Sequence, residues 1–109
     1  MKLPGADQVR IDEWKVREYL LSPTHPVGRF KARVFAALGF DATMVEVFVA
    51  EVRRIAAAGE VSAVEEIEFG RKYTVPGNLQ GPTGSREVLT VWIQEAGQPQ
   101  VRLVTVRPR

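Results

Sequence analysis

The sequence has no cysteine and a single histidine, His25, among its 109 residues. Without cysteine there is no disulfide, no thiol nucleophile and no cysteine-containing zinc or iron–sulfur site. One histidine also excludes a metal site built from several histidines of the same chain. We therefore expect no metal and no other cofactor. Acid–base chemistry near neutral pH then depends on His25, because histidine is the side chain that ordinarily exchanges protons there.

Long apolar runs are also missing. No uninterrupted apolar stretch approaches the ~20 residues of a membrane span. Residues 1–10 are not followed by the apolar segment of a signal peptide. We therefore expect a cytoplasmic protein with no membrane partner. The length predicts a single domain over residues 1–109, which is long enough to bury a core.

Charge is distributed unevenly along the chain. Residues 1–40 carry a net charge of +3, residues 41–68 a net charge of −5, and residues 69–109 a net charge of +4. No carboxylate occurs between Tyr19 and Phe40. A basic face formed by the two ends of the chain would attract a polyanion such as RNA. Small domains without such a partner show similar asymmetry, so charge alone does not assign the partner.

Apolar residues at helical spacing predict three helices within residues 12–58. The first begins at Asp12, which is suited to cap it, and runs to about Leu21. The second covers about residues 28–38. Its predicted buried stripe consists of four apolar side chains, namely Phe30, Val34, Phe35 and Leu38.

Turn and cap residues predict where these helices begin and end. Two prolines end the first helix and hold the loop over residues 22–28 in place. Gly39 fits the left-handed position after the second helix. The third helix is predicted to begin at Thr43, whose spacing to Glu46 matches a capping box, and to end at Gly59.

The second half of the chain, about residues 60–107, reads as a sheet. Strands are predicted over about residues 61–68, 71–79, 87–94 and 101–106. The third is apolar on both faces, which predicts a central strand. Pro76 within the second strand indicates a bulge or an edge. The predicted fold class is α+β, with about three N-terminal helices packed on one face of a roughly four-stranded antiparallel sheet.

Several kinds of chemistry are excluded by missing motifs. The nucleophile elbow, the Walker pattern and the dinucleotide-binding glycine fingerprint are all absent. What remains is acid–base chemistry around His25 with cations that bind an anion. RNA cleavage by its own 2′-hydroxyl needs only a proton-transfer group, a cation and correct placement. The residues leave a second interpretation open, in which His25 only orders its loop and Thr90 and Thr105 are ordinary strand residues.

One segment, Leu21 to Lys31, has the pattern Leu-x-Pro-x-His-Pro-x-Gly-x-x-Lys. Together with four further segments, Lys72–Tyr73, Gly81–Gly84, Thr90–Ile93 and Arg102–Thr105, it resembles a bacterial family of uncharacterised domains. Members of that family occur as small stand-alone proteins and as C-terminal modules of polymorphic toxins. The family in turn resembles the barnase–EndoU–colicin–RelE ribonuclease superfamily, in which a metal-independent site is built on an antiparallel sheet that follows N-terminal helices.

The resemblance implies a small metal-independent endoribonuclease of toxin type, with RNA as substrate and a nearby-encoded antitoxin or immunity protein as partner. It implies that His25 transfers a proton, that Lys31 stabilises the phosphate, and that Thr90 and Thr105 line the site. The expected substrate-binding residues are Arg29, Tyr73, Arg86 and Arg107.

The sequence departs from the family at one position. It has Val106-Arg107 where the family commonly has Ala-Tyr, so an arginine replaces an expected aromatic. Loss of a base-stacking ring there would weaken an RNA site. A non-catalytic module that binds a partner protein or an RNA backbone therefore remains the alternative, and the residues alone do not establish that the protein is an enzyme.

Overall fold

Helical segments occupy residues 13–58 and strands occupy residues 63–108 of the computed structural model, which describes residues 1–26 and 28–109. Val27, in the loop predicted over residues 22–28, lies outside the described residues. The helical segments are α1 (Glu13–Lys15), which continues as a π-helical turn (Val16–Leu20), then α2 (Arg29–Ala37), a 3-10 turn (Ala42–Met44) and α3 (Val45–Ala58). No helix among the described residues is long and apolar enough to cross a membrane.

Four strands form one antiparallel sheet in the order β1-β2-β3-β4. They are β1 (Ala63–Ile67), β2 (Gly70–Gly81), β3 (Gly84–Glu95) and β4 (Arg102–Pro108). This confirms the α+β class, the four-stranded antiparallel sheet and the central position of β3. Pro76 lies beyond Thr74, where the pairing of β2 with β1 ends, so β2 is an edge strand at that level and tolerates proline.

The core lies where α3 packs on β2. Ile55 of α3 contacts the strand at Gly77, where an added Cβ would come within 2.5 Å of the isoleucine Cγ2. Glycine is therefore needed at this point for the close approach of helix and strand. The largest fully buried side chains include Trp92, Tyr73, Phe35, Phe40 and Phe48.

The end of α2 forms the predicted left-handed cap. Gly39 has φ of 94°. Its N–H donates to the carbonyl of Ala36 at 2.9 Å, and the N–H of Phe40 donates to the carbonyl of Phe35 at 3.0 Å. These are the two hydrogen bonds of a Schellman motif. The buried ring of Phe40 then packs at an edge-to-face angle against Phe48 of α3, which fixes α2 against α3.

Two predicted helix caps were wrong. The carboxylate of Asp12 makes no cap hydrogen bond and instead accepts from Nε of Arg10 at 2.9 Å. Asp41, not Thr43, caps the 3-10 turn that leads into α3, because its Oδ1 accepts from the N–H of Thr43 at 2.8 Å. Arg10 therefore binds the Asp12 carboxylate that was predicted to cap α1, and Asp41 takes the capping role that was predicted for Thr43.

The prediction that Phe30 belongs to the buried stripe of α2 was also wrong. Its side chain is 58% exposed, while Ala32 and Phe35 provide the buried face of the helix. The first turn of α2 carries Arg29 and Phe30 on the outside. Phe35 and Leu38 of the predicted stripe are buried, so hydrophobic spacing only extended the stripe one turn too far towards the N-terminus.

The segment before α1 lies along the beginning of β4. Arg10 pairs with Arg102 in parallel. Its N–H donates to the carbonyl of Val101 at 2.8 Å, and the N–H of Leu103 donates to the carbonyl of Arg10 at 2.9 Å. This pairing brings α1 to the outer edge of β4, where the candidate site lies.

Candidate functional site at the edge of β4

Lys31 connects α2 to the last strand. Its Nζ donates a hydrogen bond of 2.8 Å to Oγ1 of Thr105 in β4. The register between β3 and β4 shifts at Val91, so β4 carries an irregularity immediately before Thr105. Such irregularities re-aim side chains at the rim of a sheet. Both groups of the pair are partly exposed, so the bond lies at the surface of the molecule.

The ring of Tyr19 is close to both His25 and Lys31. The Tyr19 and His25 rings meet edge to face with centroids 4.8 Å apart. Nζ of Lys31 lies 5.9 Å from the centroid of the Tyr19 ring. Tyr19 comes from the π-helical turn, so three separate parts of the chain meet around one aromatic ring.

The backbone at Gly28 orients His25. Nδ1 of His25 accepts a hydrogen bond from the N–H of Gly28 at 3.1 Å. A Cβ at Gly28 would overlap the carbonyl oxygen of Tyr19, so only glycine lets this loop lie against the π-helical turn.

Two lysines at this edge have lowered pKa values. Burial lowers the pKa of Lys31 most, and the positive charges of Arg107 and Lys15 lower it further. Burial also lowers the pKa of Lys15, and Arg102 adds to that effect while Asp12 opposes it. Each lysine therefore faces positive neighbours in a partly desolvated place.

We call this group of side chains the edge cluster. It consists of Lys15, Tyr19, His25, Lys31, Arg102, Thr105 and Arg107. Among the described residues, Arg102 pairs with Glu95 at 2.9 Å, whereas Lys15, Lys31 and Arg107 take part in no ion pair. A bound anion would offset the repulsion between these cations, so the edge cluster is suited to hold a phosphate.

The structure does not bring Thr90 and Tyr73 into this cluster. Thr90 is fully buried, and its Oγ1 donates to the carbonyl of Val75 at 2.7 Å and accepts from Nε1 of Trp92 at 2.8 Å. Tyr73 is 2% exposed, and its hydroxyl donates to Oε1 of Gln94 at 3.3 Å. The Thr90 hydroxyl is bonded within the core and the Tyr73 hydroxyl is bonded to Gln94 of β3, so neither is placed to touch a ligand at the edge of β4.

Arg29 and Arg86 are exposed, but neither is held in the cluster. Arg29 stacks over the Phe30 ring, with Cζ 5.0 Å from the centroid. Arg86 lies opposite Leu79 near the turn that joins β2 to β3. The structure thus joins four of the eight predicted residues, namely His25, Lys31, Thr105 and Arg107.

Three members of the edge cluster had not been predicted, namely Lys15, Tyr19 and Arg102. Lys15 and Tyr19 are four residues apart, a spacing that places side chains on one face of a helix. From the sequence, Tyr19 was assigned only to the apolar face of the first helix, and Lys15 was given no role. The sequence pattern did not indicate that β4 lies beside α1. This contact joins distant parts of the chain, and the local spacing of residues carries no information about it.

The fold and the edge cluster define a small α+β protein with a cation-rich site beside an edge strand. The chain belongs to the family described as a domain of unknown function (DUF6883), whose sequence model matches residues 2–109. This agrees with the predicted membership of a family of uncharacterised domains. No curated protein matches the sequence.

A solved structure shares this fold. It is described as a contact-dependent growth inhibition toxin–immunity protein complex from Klebsiella pneumoniae 342. The TM-score is 0.70 at 15% sequence identity, and the match covers 91% of this chain and 98% of that chain. At this identity the similarity shows a common fold and nothing about the activity of this chain.

Proposed function

We propose that this protein is a metal-independent endoribonuclease of toxin type. The observation that carries the proposal is the bond between Lys31 and Thr105 beside the Tyr19–His25 pair. Lys31, Lys15 and Arg107 lie near one another there, and none of them takes part in an ion pair among the described residues. A proton-transfer group and a phosphate-binding cation are thereby held around one aromatic ring. These are the parts that RNA cleavage by its own 2′-hydroxyl requires.

In the proposed reaction the 2′-oxygen of RNA attacks the adjacent phosphorus, and the bond to the 5′-oxygen breaks. The products are a cyclic phosphate and a free 5′-hydroxyl. His25 takes the proton of the 2′-hydroxyl as the general base, and a water molecule gives a proton to the departing 5′-oxygen. Lys31 and Arg107 stabilise the negative charge that develops on the phosphorane. Thr105 holds the Lys31 ammonium in position through its hydroxyl.

The toxin part of the proposal draws on the toxin–immunity complex that shares the fold. We propose that the protein acts on RNA in the cytoplasm and that a small antitoxin or immunity protein binds it. Such a partner would protect the cell that makes the protein. An acidic surface on that partner would complement the edge cluster.

The test compares the wild type with His25→Asn, Lys31→Met and Arg86→Gln. Asparagine retains an oxygen that can accept from the Gly28 N–H, but it does not titrate, so it separates proton transfer from loop structure. We expect His25→Asn to lower RNA cleavage about 10²- to 10⁴-fold. Arg86→Gln, outside the edge cluster, should cleave like the wild type. Cleavage is measured on purified RNA in the presence of EDTA, together with growth after induced expression.

Intact RNA with the wild type, or equal cleavage by the wild type and His25→Asn, would remove the ribonuclease proposal. The second candidate function is then a non-catalytic module that binds an RNA backbone or a partner protein. The exposed Arg107 favours this candidate, because the position holds a cation for phosphate and no ring for a base. Binding without cleavage, unaffected by His25→Asn, would support it.

A further inference from the structure

Phe30 is a large apolar side chain placed at the surface. It is 58% exposed in the first turn of α2, although the core of this helix is complete without it. Two guanidinium groups lie over its ring. Cζ of Arg29 is 5.0 Å from the ring centroid, and Cζ of Arg33 is 5.7 Å from it. We call these three residues the Phe30 platform.

The two arginines of the platform take part in no ion pair among the described residues. The sequence offers no local carboxylate, since residues 19–40 contain none. Contact between an arginine and an aromatic face is worth only about 0.5–1 kcal/mol at an exposed site. The charges of the guanidinium groups therefore stay uncompensated, and the platform attracts anions.

Helix geometry connects the platform with the edge cluster. Successive residues of an α-helix are about 100° apart around the axis, since there are 3.6 residues per turn. Arg33 and Lys31 therefore lie on opposite sides of Phe30 around α2. The ring occupies the surface between the guanidinium groups and the lysine that bonds to Thr105. The backbone also connects the two sites, because the N–H of Arg29 donates to the carbonyl of His25 at 3.0 Å.

We propose that the Phe30 platform binds a nucleotide of single-stranded RNA that flanks the phosphate held by Lys31. A base stacks on the exposed ring or on an arginine plane, and the two guanidinium groups contact the neighbouring phosphates. Stacking on an aromatic or arginine face tolerates any base, so this contact confers affinity without sequence preference. This inference rests on the proposed function, because it takes the edge cluster as the place where RNA is cleaved.

The chemistry favours a single strand over a duplex. In an A-form duplex the bases are stacked on each other, and their faces are not accessible to a protein ring. An unpaired base can leave its neighbours and lie on Phe30. The platform should therefore distinguish single-stranded from double-stranded RNA of the same sequence, whereas phosphate contacts alone would bind both.

The experiment measures binding of a fluorescently labelled, 2′-O-methylated single-stranded oligonucleotide by polarisation, so that no cleavage occurs. The variants are Phe30→Ala, Phe30→Trp and the double variant Arg29→Gln/Arg33→Gln. Phe69→Ala is the matched control, since Phe69 is 53% exposed in the turn between β1 and β2. Both phenylalanines are exposed, so thermal unfolding should be nearly unchanged in each alanine variant.

We expect Phe30→Ala to bind the single strand about 5- to 150-fold more weakly, which corresponds to the loss of one stacked base. Phe30→Trp should bind at least as tightly as the wild type, and Phe69→Ala should bind like it. A duplex of the same sequence should show no difference between Phe30→Ala and the wild type. Equal affinity of Phe30→Ala and the wild type for the single strand would overturn the proposal, as would an equal loss in Phe69→Ala or equal losses for strand and duplex.

Cleavage separates this inference from the proposed function. His25→Asn should bind the methylated strand like the wild type and fail to cut an unmodified one, whereas Phe30→Ala should mainly raise KM. If the wild type cuts no RNA but Phe30→Ala still binds the methylated strand more weakly, the ribonuclease proposal is wrong and the proposal for the Phe30 platform is supported. Loss of binding to an acidic protein partner alone, with RNA binding unchanged, would show that the platform serves a protein and would overturn it.

Discussion

Thr90 and Thr105 show how differently two similar residues behave in one sheet. Both were predicted as site hydroxyls on well-defined strands. Thr90 is buried and bonded twice within the core, whereas Thr105 lies at the open edge and accepts from Lys31. The difference follows from the face on which each side chain lies. Thr90 is paired with the buried Val106, whereas Thr105 is paired with Val91 and therefore lies on the opposite face of the sheet. Residue type and strand propensity contain no such information.

The lowered pKa of Lys31 leads to a prediction about stability. A lysine whose pKa is lower in the folded chain than in the unfolded chain disfavours folding while it is charged in both states. That penalty disappears as the pH rises through the folded pKa towards the ordinary value of 10.5. Lys31→Arg keeps its charge over this range.

The free energy of unfolding of the wild type should therefore increase relative to that of Lys31→Arg between neutral pH and pH about 10. We expect less than about 1 kcal/mol, because partial exposure lets solvent screen the charges. Urea unfolding at a series of pH values measures the difference. A difference that stays constant or decreases with pH would contradict the lowering of the pKa of Lys31 by burial and by its positive neighbours.

Among the elements, both ends of α2 were predictable, whereas the exposure of its first turn was not. A glycine in left-handed conformation followed by Phe40 is a local signal, and the structure forms the motif with both hydrogen bonds. The exposure of Phe30 is not local. It depends on which side of α2 meets the rest of the molecule, and the 3.6-residue period allows either of two neighbouring stripes.

The loop before α2 gives a prediction at the scale of an element. Gly28→Ala would place a Cβ against the carbonyl oxygen of Tyr19, so the loop must move away from the π-helical turn. We expect a loss of about 1–3 kcal/mol in the free energy of unfolding, as for other overpacked sites. The ring-proton resonances of His25 should also shift, because the Tyr19 ring would no longer lie beside them.

Gly84→Ala is the control for this variant. An added Cβ there would lie 3.6 Å from Cδ2 of Leu38, an ordinary contact. It should leave both the stability and the His25 resonances nearly unchanged. If Gly28→Ala behaved in the same way, close packing of the loop on Tyr19 would not be what orients His25.

For the whole molecule, the uneven distribution of charge along the sequence corresponds to an uneven distribution of charge across the sheet. Acidic residues of β1, such as Glu65 and Glu66, lie at one edge of the sheet and pair with Lys72 and Arg71 of β2. The edge cluster lies beyond β4 at the other edge. A basic face formed by the two ends of the chain stays a prediction, and the sequence did not indicate which residues would form it.

The RNA binding that we propose at the edge cluster leads to a prediction about its dependence on salt. Each phosphate contact to single-stranded nucleic acid contributes about −0.7 to the slope of log K against log salt concentration. Arg107→Gln and Lys15→Gln should each make the slope less steep by about that amount. Arg71→Gln, at the opposite edge, should leave it unchanged. The slopes are measured by titrating RNA into each protein over a range of salt concentrations. Equal slopes for the wild type and the three variants would argue against phosphate binding at β4.

The bond between Lys31 and Thr105 joins residues 74 positions apart, and it has a consequence for a chain that is still being made. The ribosome completes α2 well before β4. A nascent chain that contains His25, Tyr19 and Lys31 but not yet β4 has no partner for the lysine and no Arg107 beside it. The edge cluster therefore assembles only after the last strand has been synthesised and has joined β3. An unfinished or truncated copy would lack the edge cluster, so the ribonuclease activity that we propose would begin only after β4 has been synthesised.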